Sequence, residues 1–248
     1  MISKIIFKNI KFININNQEF KSFIIKKGLF VFPAGPALAT IKKSNEYYKS
    51  LKKADFVFFD SGFFVLLLRV FKNINVQKFS GFKFLGMFFV YLKKNKKKRI
   101  FCIDPNINFS KSNYKYIKNL GINNLYNYCA PRYNLKSLSD LHLLKNLKKF
   151  KPDYIIVNIG GGVQEVLGLY IKKNLKFKTS ILCTGAAISF FTKDQAPINN
   201  LVDKYYLGWL IRLIFNPIIF FKKYIIGLRL IPMVIFDKIK ILKKDKIY

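Results

Sequence analysis

Short apolar runs alternate with amphipathic stretches along the chain from residue 28 onward. The segments 28–36 (GLFVFPAGP) and 55–62 (DFVFFDSG) are apolar runs that end in turn-forming residues, as buried strands do. Between them, 44–54 places four apolar residues at helical spacing, which predicts an amphipathic helix. Further strands are predicted at 96–105, 123–131, 153–160 and 179–187, and further helices at 63–71, 82–94, 113–121, 139–150 and 164–173. The helix at 63–71 is almost entirely apolar and is expected to be buried.

This alternation predicts the fold class. Apolar strands that alternate with helices form a mostly parallel sheet with helices on both faces, so the predicted fold is α/β, with residues 1–200 as the main domain. Residues 201–248 change in composition and are predicted to be a basic, amphipathic, helical C-terminal appendage. Ligands of such sheets bind beyond the carboxyl ends of the strands, where the candidate site residues are therefore sought.

The appendage leaves two interpretations open. Residues 217–236 place Lys222 and Arg229 among large apolar groups, and Arg212 shares an aromatic face with its neighbours in the preceding segment. Such helices suit the surface of an anionic membrane, or they dock on the main domain as ordinary amphipathic helices. No membrane-spanning helix is predicted, because the most apolar stretch contains Arg212, Asn216 and Pro217.

The net charge is extreme and has two explanations. The 45 Lys and Arg residues exceed the 12 Asp and Glu residues by 33, and only five of the basic residues are Arg. A compositional bias, such as that of an AT-rich genome, explains the preference for Lys over Arg. An anionic partner better explains the scarcity of acids. Nucleic acid is not the expected partner, because the lysines are spread through the whole chain without a basic-aromatic motif.

Cysteine and histidine usage argues against several kinds of chemistry. Cys102, Cys129 and Cys183 form no CxxC pair and fall in predicted strands, so buried reduced thiols are expected rather than disulfides or a zinc site. His142 is the single histidine, which argues against a histidine metal site and against a Ser-His-Asp triad. No Asp-x-Asp motif occurs, and no metal ligand is predicted.

Three consecutive glycines, Gly160, Gly161 and Gly162, separate a predicted strand from a helix that begins with Gln164 and Glu165. Because glycine weakens regular structure, the run indicates that another group approaches the backbone closely. The N–H groups at the start of the helix could hold a phosphate. The spacing is not that of the dinucleotide fingerprint, since Glu165 stands where the third glycine belongs, and the GxxxxGK[ST] loop is absent.

Asp60 ends an otherwise apolar strand. A partly desolvated carboxylate in this position is suited to proton abstraction. The alternative, which local sequence favours, is that Asp60 caps the helix that begins near Gly62. Asp104 and Asp153 are interpreted as turn and strand-entry residues.

Four segments resemble the WecG/TagA/CpsF glycosyltransferases. ADFVFFDSG (54–62) resembles the family pattern AD-V-PDG, and KPDYIIVNIGGGVQE (151–165) resembles pDil-VglG-PkQE. CTGAAISFF…QAP (183–197) resembles vGg-fdf…RAP, and LGWLIRLIFNPIIFFKKY (207–224) resembles lEWlyRL-eP-R-wRRY. The four blocks follow one another in the order and spacing of the family.

The resemblance implies a Rossmann-like fold, with a mostly parallel sheet flanked by helices, and an activity. The family transfers N-acetylmannosamine-type sugars from a UDP-sugar donor to a polyprenol-diphosphate-linked sugar, inverts the configuration and needs no metal or other cofactor. The chain is thus expected to be a UDP-N-acetylmannosaminyltransferase-like hexosyltransferase of bacterial surface polysaccharide assembly, for capsule or teichoic acid-like polymers. It would be peripheral on the cytoplasmic face of the cell membrane.

The resemblance also implies roles for individual residues. Asp60 corresponds to the general base that acts on the acceptor hydroxyl. The glycine run would approach the donor, and the appendage would cover the active site as a lid and place basic residues near the diphosphate. The substrate-binding residues predicted in this way are Gly81, Gly160, Gly161, Gly162, Gln164, Glu165, Gly185, Arg212, Lys222 and Lys223.

The chain departs from the family pattern at several polar positions. A Thr-x-Asn pair falls on Phe32 and Ala34, and two aspartates fall on Ser189 and Lys83, while an arginine falls on Ile218. These losses motivate a second hypothesis, in which the chain is a catalytically degenerate membrane-associated paralogue that acts as a binding or scaffold protein. The donor sugar, the acceptor and the oligomeric state, including a homo-oligomer, are left open.

Overall fold

The computed structural model of the protein describes residues 2–194, 214 and 217–245. The strands in this part of the chain are β1 Ile2–Phe7, β2 Ile10–Asn14, β3 Gly28–Val31, β4 Phe56–Phe58, β5 Ile100–Asp104, β6 Leu125–Cys129, β7 Tyr154–Val157, β8 Ser180–Cys183 and β9 Lys240–Asp245. The helices are α1 Phe20–Ile24, α2 Gly35–Leu38, α3 Asn45–Lys53, α4 Gly62–Lys72, α5 Gly81–Lys94, α6 Ile107–Asn119, α7 Leu141–Phe150, α8 Val163–Asn174, α9 Pro217–Gly227 and α10 Leu230–Phe236. Two short 3₁₀ segments lie at Leu135–Ser137 and Gly185–Phe190.

All nine strands form one sheet, in the order β6-β5-β7-β8-β3-β4-β2-β1-β9. The seven strands from β6 to β2 are mutually parallel, and β1 runs antiparallel to both β2 and β9. The predicted mostly parallel α/β sheet flanked by helices, with a C-terminal pair of helices, is therefore confirmed.

Both faces of the sheet are buried, which explains why its strands are continuous apolar runs. Leu29 and Val31 of β3 pack into one core cluster, and Phe30 and Phe32 pack into the other. Successive strand residues point to opposite faces, so each strand must be apolar on both sides when helices cover both. Helices α3, α4, α7, α8 and α10 cover the first face, and α1, α5 and α6 cover the second.

An N-terminal hairpin extends the sheet, and the sequence analysis predicted no strand there. Lys8 and Asn9 connect β1 to β2 with φ angles of 50° and 58°, as in the two-residue turns that match the twist of a hairpin. Lysines interrupt the apolar residues of this region, yet Phe7, Ile10 and Phe12 are completely buried. The signal was an alternation of period two, which the interruptions obscured.

The C-terminal residues are integrated into the same sheet and core. Leu230 and Val234 of α10 are fully buried, β9 pairs with β1, and the Lys8 ammonium lies 2.6 Å from the Asp237 carboxylate. The boundary drawn at residue 200 lies outside the described residues, and the division into 1–200 and 201–248 stays a prediction. Within the described residues, no helix is both long and apolar enough to cross a membrane.

Two expectations about burial were wrong in part. Cys102 and Cys183 are buried free thiols, but Cys129 is exposed because β6 is an edge strand of the sheet. Helix α4 was predicted to be a buried helix, yet Leu66, Val70 and Phe71 on its outer side are exposed.

Candidate active site

Four neighbouring parallel strands bring the predicted site residues to one edge of the sheet. Asp60 follows β4, Gly185 follows β8, and the glycines 160–162 follow β7, while β3 lies between β4 and β8. The strands run in the same direction, so their carboxyl ends share an edge, which is where α/β sheets bind ligands. Asp60 and the glycine loop, defined as Ile159–Gly162, therefore lie on the same side of the molecule.

Asp60 is half-buried, and its carboxylate binds the first residue of α5. The Gly81 N–H, the first of α5, donates to Asp60 Oδ1 at 2.8 Å. The N-cap of α4 is instead Ser61, whose Oγ accepts from the Phe64 N–H at 3.2 Å. The alternative that Asp60 caps α4 is therefore wrong, and its carboxylate points toward the start of α5.

The start of α5 packs against the loop after β8. A methyl group added to Gly81 would lie 3.3 Å from the Thr184 carbonyl oxygen, so the two backbones are nearly in contact. The next residue, Gly185, has a φ of 60°, a conformation that glycine adopts without strain. Its N–H donates to Gln164 Oε1 at 2.6 Å, which links this loop to α8.

Gln164 and Glu165 continue this chain of contacts to the glycine loop. Gln164 Nε2 donates to Glu165 Oε1 at 3.1 Å, and Glu165 Oε2 accepts from the Gly162 N–H at 2.7 Å. Both side chains are buried, with 3% and 1% of their surface exposed. They hold the loops of the site together, and a direct contact of either side chain with a substrate stays a prediction.

Two of the three glycines are not required by the packing of the protein. A Cβ added to Gly160 or Gly161 meets no atom within 4 Å, and neither residue has a positive φ. Only Gly162, with a φ of 91°, needs glycine for its conformation. Open space therefore borders the backbone of Gly160 and Gly161, and the approach of a ligand to this backbone stays a prediction.

Three ionisable side chains of the site affect one another electrostatically. Burial raises the pKa of Glu165 to about 7, and the negative charge of Asp60 contributes to this increase. Burial also raises the pKa of Tyr47 well above its ordinary value, with smaller contributions from the charges of Glu165 and Asp60. The Tyr47 hydroxyl has no hydrogen-bond partner among the described residues. In the sequence, Tyr47 is one of the four apolar residues at helical spacing in 44–54, and nothing in its local sequence marked it as a site residue.

A second buried carboxylate lies at the same edge and was missed. Asp104 ends β5, has no exposed surface and accepts hydrogen bonds from the side-chain amides of Asn113, Asn127 and Asn158. Burial raises its pKa, and the amide donors counteract this increase. Its interpretation as a turn residue was wrong. The available signal was the placement of a carboxylate at the end of the apolar run IFCID.

The structure describes two of the three basic residues that were predicted for the site. Arg212 lies outside the described residues. Lys222 and Lys223 lie on the exposed side of α9, which packs against α2, the helix that follows β3. An added Cβ on Gly35 would lie 2.7 Å from Ser61 Oγ and 3.7 Å from Leu230, so the C-terminal helices adjoin the loop that carries Asp60.

Two positions where the chain departs from the family pattern have become part of the core. Phe32 stacks on Phe58 with ring centroids 4.9 Å apart, and Ser189 is buried. Phe32 thus stands where the family pattern has a polar side chain, and it makes an aromatic contact in the core instead.

A separate cavity of about 430 Å³ lies at the opposite edge of the sheet. It is lined by residues at the amino ends of β3 and β8, including Lys27, Asp55 and Thr179. It contains none of the predicted site residues. Among the described residues, no group of three His, Cys, Asp or Glu side chains is arranged to hold a metal ion.

The sheet topology defines a Rossmann-like α/β protein, and the glycine loop and the half-buried carboxylate form a candidate ligand site at its carboxyl edge. The sequence matches the family model described as "Glycosyl transferase WecG/TagA/CpsF family" over residues 5–244. The chain belongs to this family, which confirms the resemblance noted in the sequence. Its members are glycosyltransferases of polysaccharide biosynthesis that in general use nucleotide-sugar donors and glycolipid acceptors. A comparison with curated proteins finds no match.

Proposed function

We propose that the chain is an inverting, metal-independent glycosyltransferase that moves an N-acetylmannosamine-type sugar from a UDP-sugar to a polyprenol-diphosphate-linked sugar. The observation that carries the proposal is the set of contacts that leads from Asp60 to Gly81, across the closely approaching backbone of Thr184 to Gly185, and on through Gln164 and Glu165 to the glycine loop. These contacts hold the candidate base Asp60 and the open backbone of the glycine loop at fixed positions along one edge of the sheet.

Asp60 is the general base in the proposed reaction. Its carboxylate accepts the proton of the acceptor hydroxyl while the hydroxyl oxygen forms a bond to the anomeric carbon of the donor sugar. The bond from that carbon to the diphosphate breaks on the opposite side, and UDP leaves with inversion. One Asp60 oxygen is fixed by the Gly81 N–H, which restricts the orientation of the carboxylate.

The glycine loop and the start of α8 form the proposed diphosphate site. Negative charge develops on the departing UDP, and backbone N–H groups at a helix N-terminus stabilise such charge without reorganisation. The open space beside Gly160 and Gly161 gives a diphosphate access to that backbone. Arg212, Lys222 and Lys223 are proposed to supply positive charge from the C-terminal segment.

Binding of UDP to Gly161→Ala tests the assignment of the loop. Alanine fits the conformation and the open space of Gly161, so the free energy of unfolding should stay equal or rise by up to about 1 kcal/mol. A methyl group in the diphosphate site should nevertheless weaken UDP binding by roughly tenfold or more. Isothermal titration measures the affinity and urea unfolding the stability.

The matched control is Gly86→Ala in the interior of α5. An added Cβ there meets only Phe191, at an ordinary 3.5 Å, and the variant should bind UDP as the wild type does. Unchanged UDP affinity in Gly161→Ala would contradict the loop assignment. If no UDP-sugar raises the melting temperature of the wild type, the catalytically degenerate scaffold becomes the better hypothesis, which the loss of polar groups at Phe32 and Ala34 favours.

The same proposal places the enzyme on the inner face of the cell membrane, bound through α9 and α10. An exposed apolar stripe is formed by Ile218, Phe221 and Ile225 of α9 and by Leu228 just after it, and Ile218 is 81% exposed. Lys222 and Arg229 lie beside this stripe and are exposed. Apolar groups flanked by basic ones match a bilayer that contains anionic lipids.

Flotation with vesicles tests the membrane surface. The double variant Phe221→Ser, Ile225→Ser should bind vesicles of anionic phospholipid several-fold more weakly, because it removes apolar groups that are available to insert into the bilayer. Leu141→Ser, which removes a 76% exposed leucine at the start of α7, is the control and should bind like the wild type. Equal binding by all three proteins would contradict the placement of the surface on α9.

A further inference from the structure

Asp104 is the central acceptor of a buried cluster of side-chain amides. Asn113 Nδ2 and Asn158 Nδ2 donate to its Oδ1 at 2.7 and 2.8 Å, and Asn127 Nδ2 donates to Oδ2 at 2.8 Å. Asn113 and Asn158 are 0% and 4% exposed. A buried carboxylate is stable only when such donors replace the lost water, so the cluster is satisfied at its centre.

The carboxylate accepts from the nitrogen of all three amides, and Asn127 Nδ2 also donates to the Ser110 carbonyl oxygen at 3.1 Å. The Oδ1 atoms of Asn113, Asn127 and Asn158 are buried and have no hydrogen-bond partner among the described residues. An asparagine side chain can be turned to offer either its oxygen or its nitrogen, yet all three direct the nitrogen to Asp104. Hydrogen bonds from an amide N–H to a carboxylate are stronger than those to a neutral acceptor, which accounts for this common orientation.

One of these amides belongs to the residue that precedes the glycine loop. Asn158 follows the last residue of β7, and its N–H donates to the Ile103 carbonyl oxygen at 2.8 Å. Its backbone is thus paired with β5 and its side chain is fixed by the last residue of β5. Asn113 is bound to the same Asp104 oxygen but lies on α6, away from the loop.

The glycine loop is held near its two ends and not by packing in its middle. Gly160 and Gly161 have open space where a side chain would be, whereas the Gly162 N–H is bound by the buried carboxylate of Glu165. The Gln164 N–H closes the loop by donating to the Gly160 carbonyl oxygen at 3.1 Å. The orientation of the loop backbone therefore depends on anchors at Asn158 and at Gly162.

We infer that Asp104 is a positioning residue that acts through Asn158 to fix the glycine loop for the diphosphate of the donor. This inference rests on the proposed function of the loop. The fixing of the loop by Asp104 and Asn158, however, is a property of the protein without any ligand. Glu165 fixes the end of the loop and Asp104 fixes its beginning, so two buried carboxylates determine how the open backbone of Gly160 and Gly161 is oriented. This role of Asp104 requires no contact between its carboxylate and the substrate.

Two matched variants test this role. Asn158→Ala and Asn113→Ala each remove one amide from Asp104 Oδ1, and both should lower the urea midpoint by a similar amount. Only Asn158→Ala should increase the hydrogen exchange of the Gly162 and Gln164 amides, by roughly tenfold or more, and weaken UDP binding by a similar factor. Asn158→Ser, which leaves a smaller cavity, replaces the alanine variant if that variant does not fold.

The two readouts separate the inference from the proposed function. Faster exchange of the Gly162 and Gln164 amides in Asn158→Ala alone supports the positioning role, even if the wild type does not bind UDP, in which case the proposed function fails. Exchange that is unchanged in Asn158→Ala, or equally increased in Asn113→Ala, overturns the positioning role, even if UDP binds to all variants.

Discussion

Asp60→Asn is expected to lower the rate of sugar transfer by a factor of about 10² to 10⁴, the usual contribution of a general base. The asparagine amide cannot accept the proton of the acceptor hydroxyl. Among the described residues, no other carboxylate is shown at the position of Asp60. The amide oxygen can still accept the hydrogen bond from the Gly81 N–H, so the start of α5 should remain in position. We therefore expect little change in melting temperature or in UDP-sugar binding.

The measurement is transfer of sugar from a panel of UDP-sugars to a short polyprenol-diphosphate sugar, followed by chromatography of the lipid product. Asp55→Asn is the matched control, because Asp55 also accepts a backbone N–H, from Leu29 at 2.7 Å, but lies at the opposite edge of the sheet. It should lose stability, since Asp55 is also paired with Lys172, and retain transfer. Wild-type transfer rates in Asp60→Asn would refute the role of Asp60 as the base.

The second large effect concerns Glu165, whose ionisation should make the stability of the protein depend on pH. Burial raises its pKa from the ordinary value of 4.5 to about 7, so the folded state favours the protonated form. This contribution to the free energy of unfolding is fully present below about pH 4.5 and is lost as the pH rises to about 7. The gap between the two pKa values corresponds to about 3 kcal/mol.

Urea unfolding of the wild type and of Glu165→Gln between pH 4.5 and 8 measures this effect. The glutamine oxygen can still accept the Gly162 N–H, but the side chain does not ionise, so the variant lacks this pH dependence. The free energy of unfolding of the wild type relative to the variant should fall by about 3 kcal/mol across the range. A difference that stays constant with pH would show that the pKa of Glu165 is not raised.

The ionisation state of Glu165 also concerns the hydrogen bonds that connect two loops of the candidate site. Glu165 Oε1 accepts from Gln164 Nε2, and Gln164 Oε1 accepts from the Gly185 N–H. A proton on Glu165 Oε1 would face the Gln164 NH₂ group, so the observed orientation fits the ionised carboxylate. The contact between the loops after β7 and β8 therefore runs through a side chain that is almost completely buried and has a pKa of about 7.

Most of the sheet could be predicted from apolar periodicity. Strands buried on both faces are continuous apolar runs, and β3, β4, β5, β7 and β8 all have this form. The hairpin of β1 and β2 was missed because its lysines interrupt the pattern. Strand β9 was missed because Ile241 and Leu242 lie among lysines, and its pairing with β1 joins the two ends of the chain.

The site residues were predictable only where a local pattern marked them. Asp60 and the three glycines follow apolar strands directly, and the Gln-Glu pair forms part of a family motif. The sequence favoured a cap of α4 for Asp60, because it contains no information on which helix start the carboxylate would meet. That start is Gly81, 21 residues further along the chain.

The amino-acid order alone specified the class of sheet, the edge at which the candidate site residues lie, and the glycines that leave backbone open there. These features arise from short-range periodicity and from backbone conformation, which neighbouring residues control. The hydrogen-bonded cluster of Asp104 and Asn158, and the raised pKa values of Glu165 and Tyr47, came from folding. Burial and hydrogen bonding between residues distant in sequence produce them, because a carboxylate is desolvated or paired only when other elements pack around it.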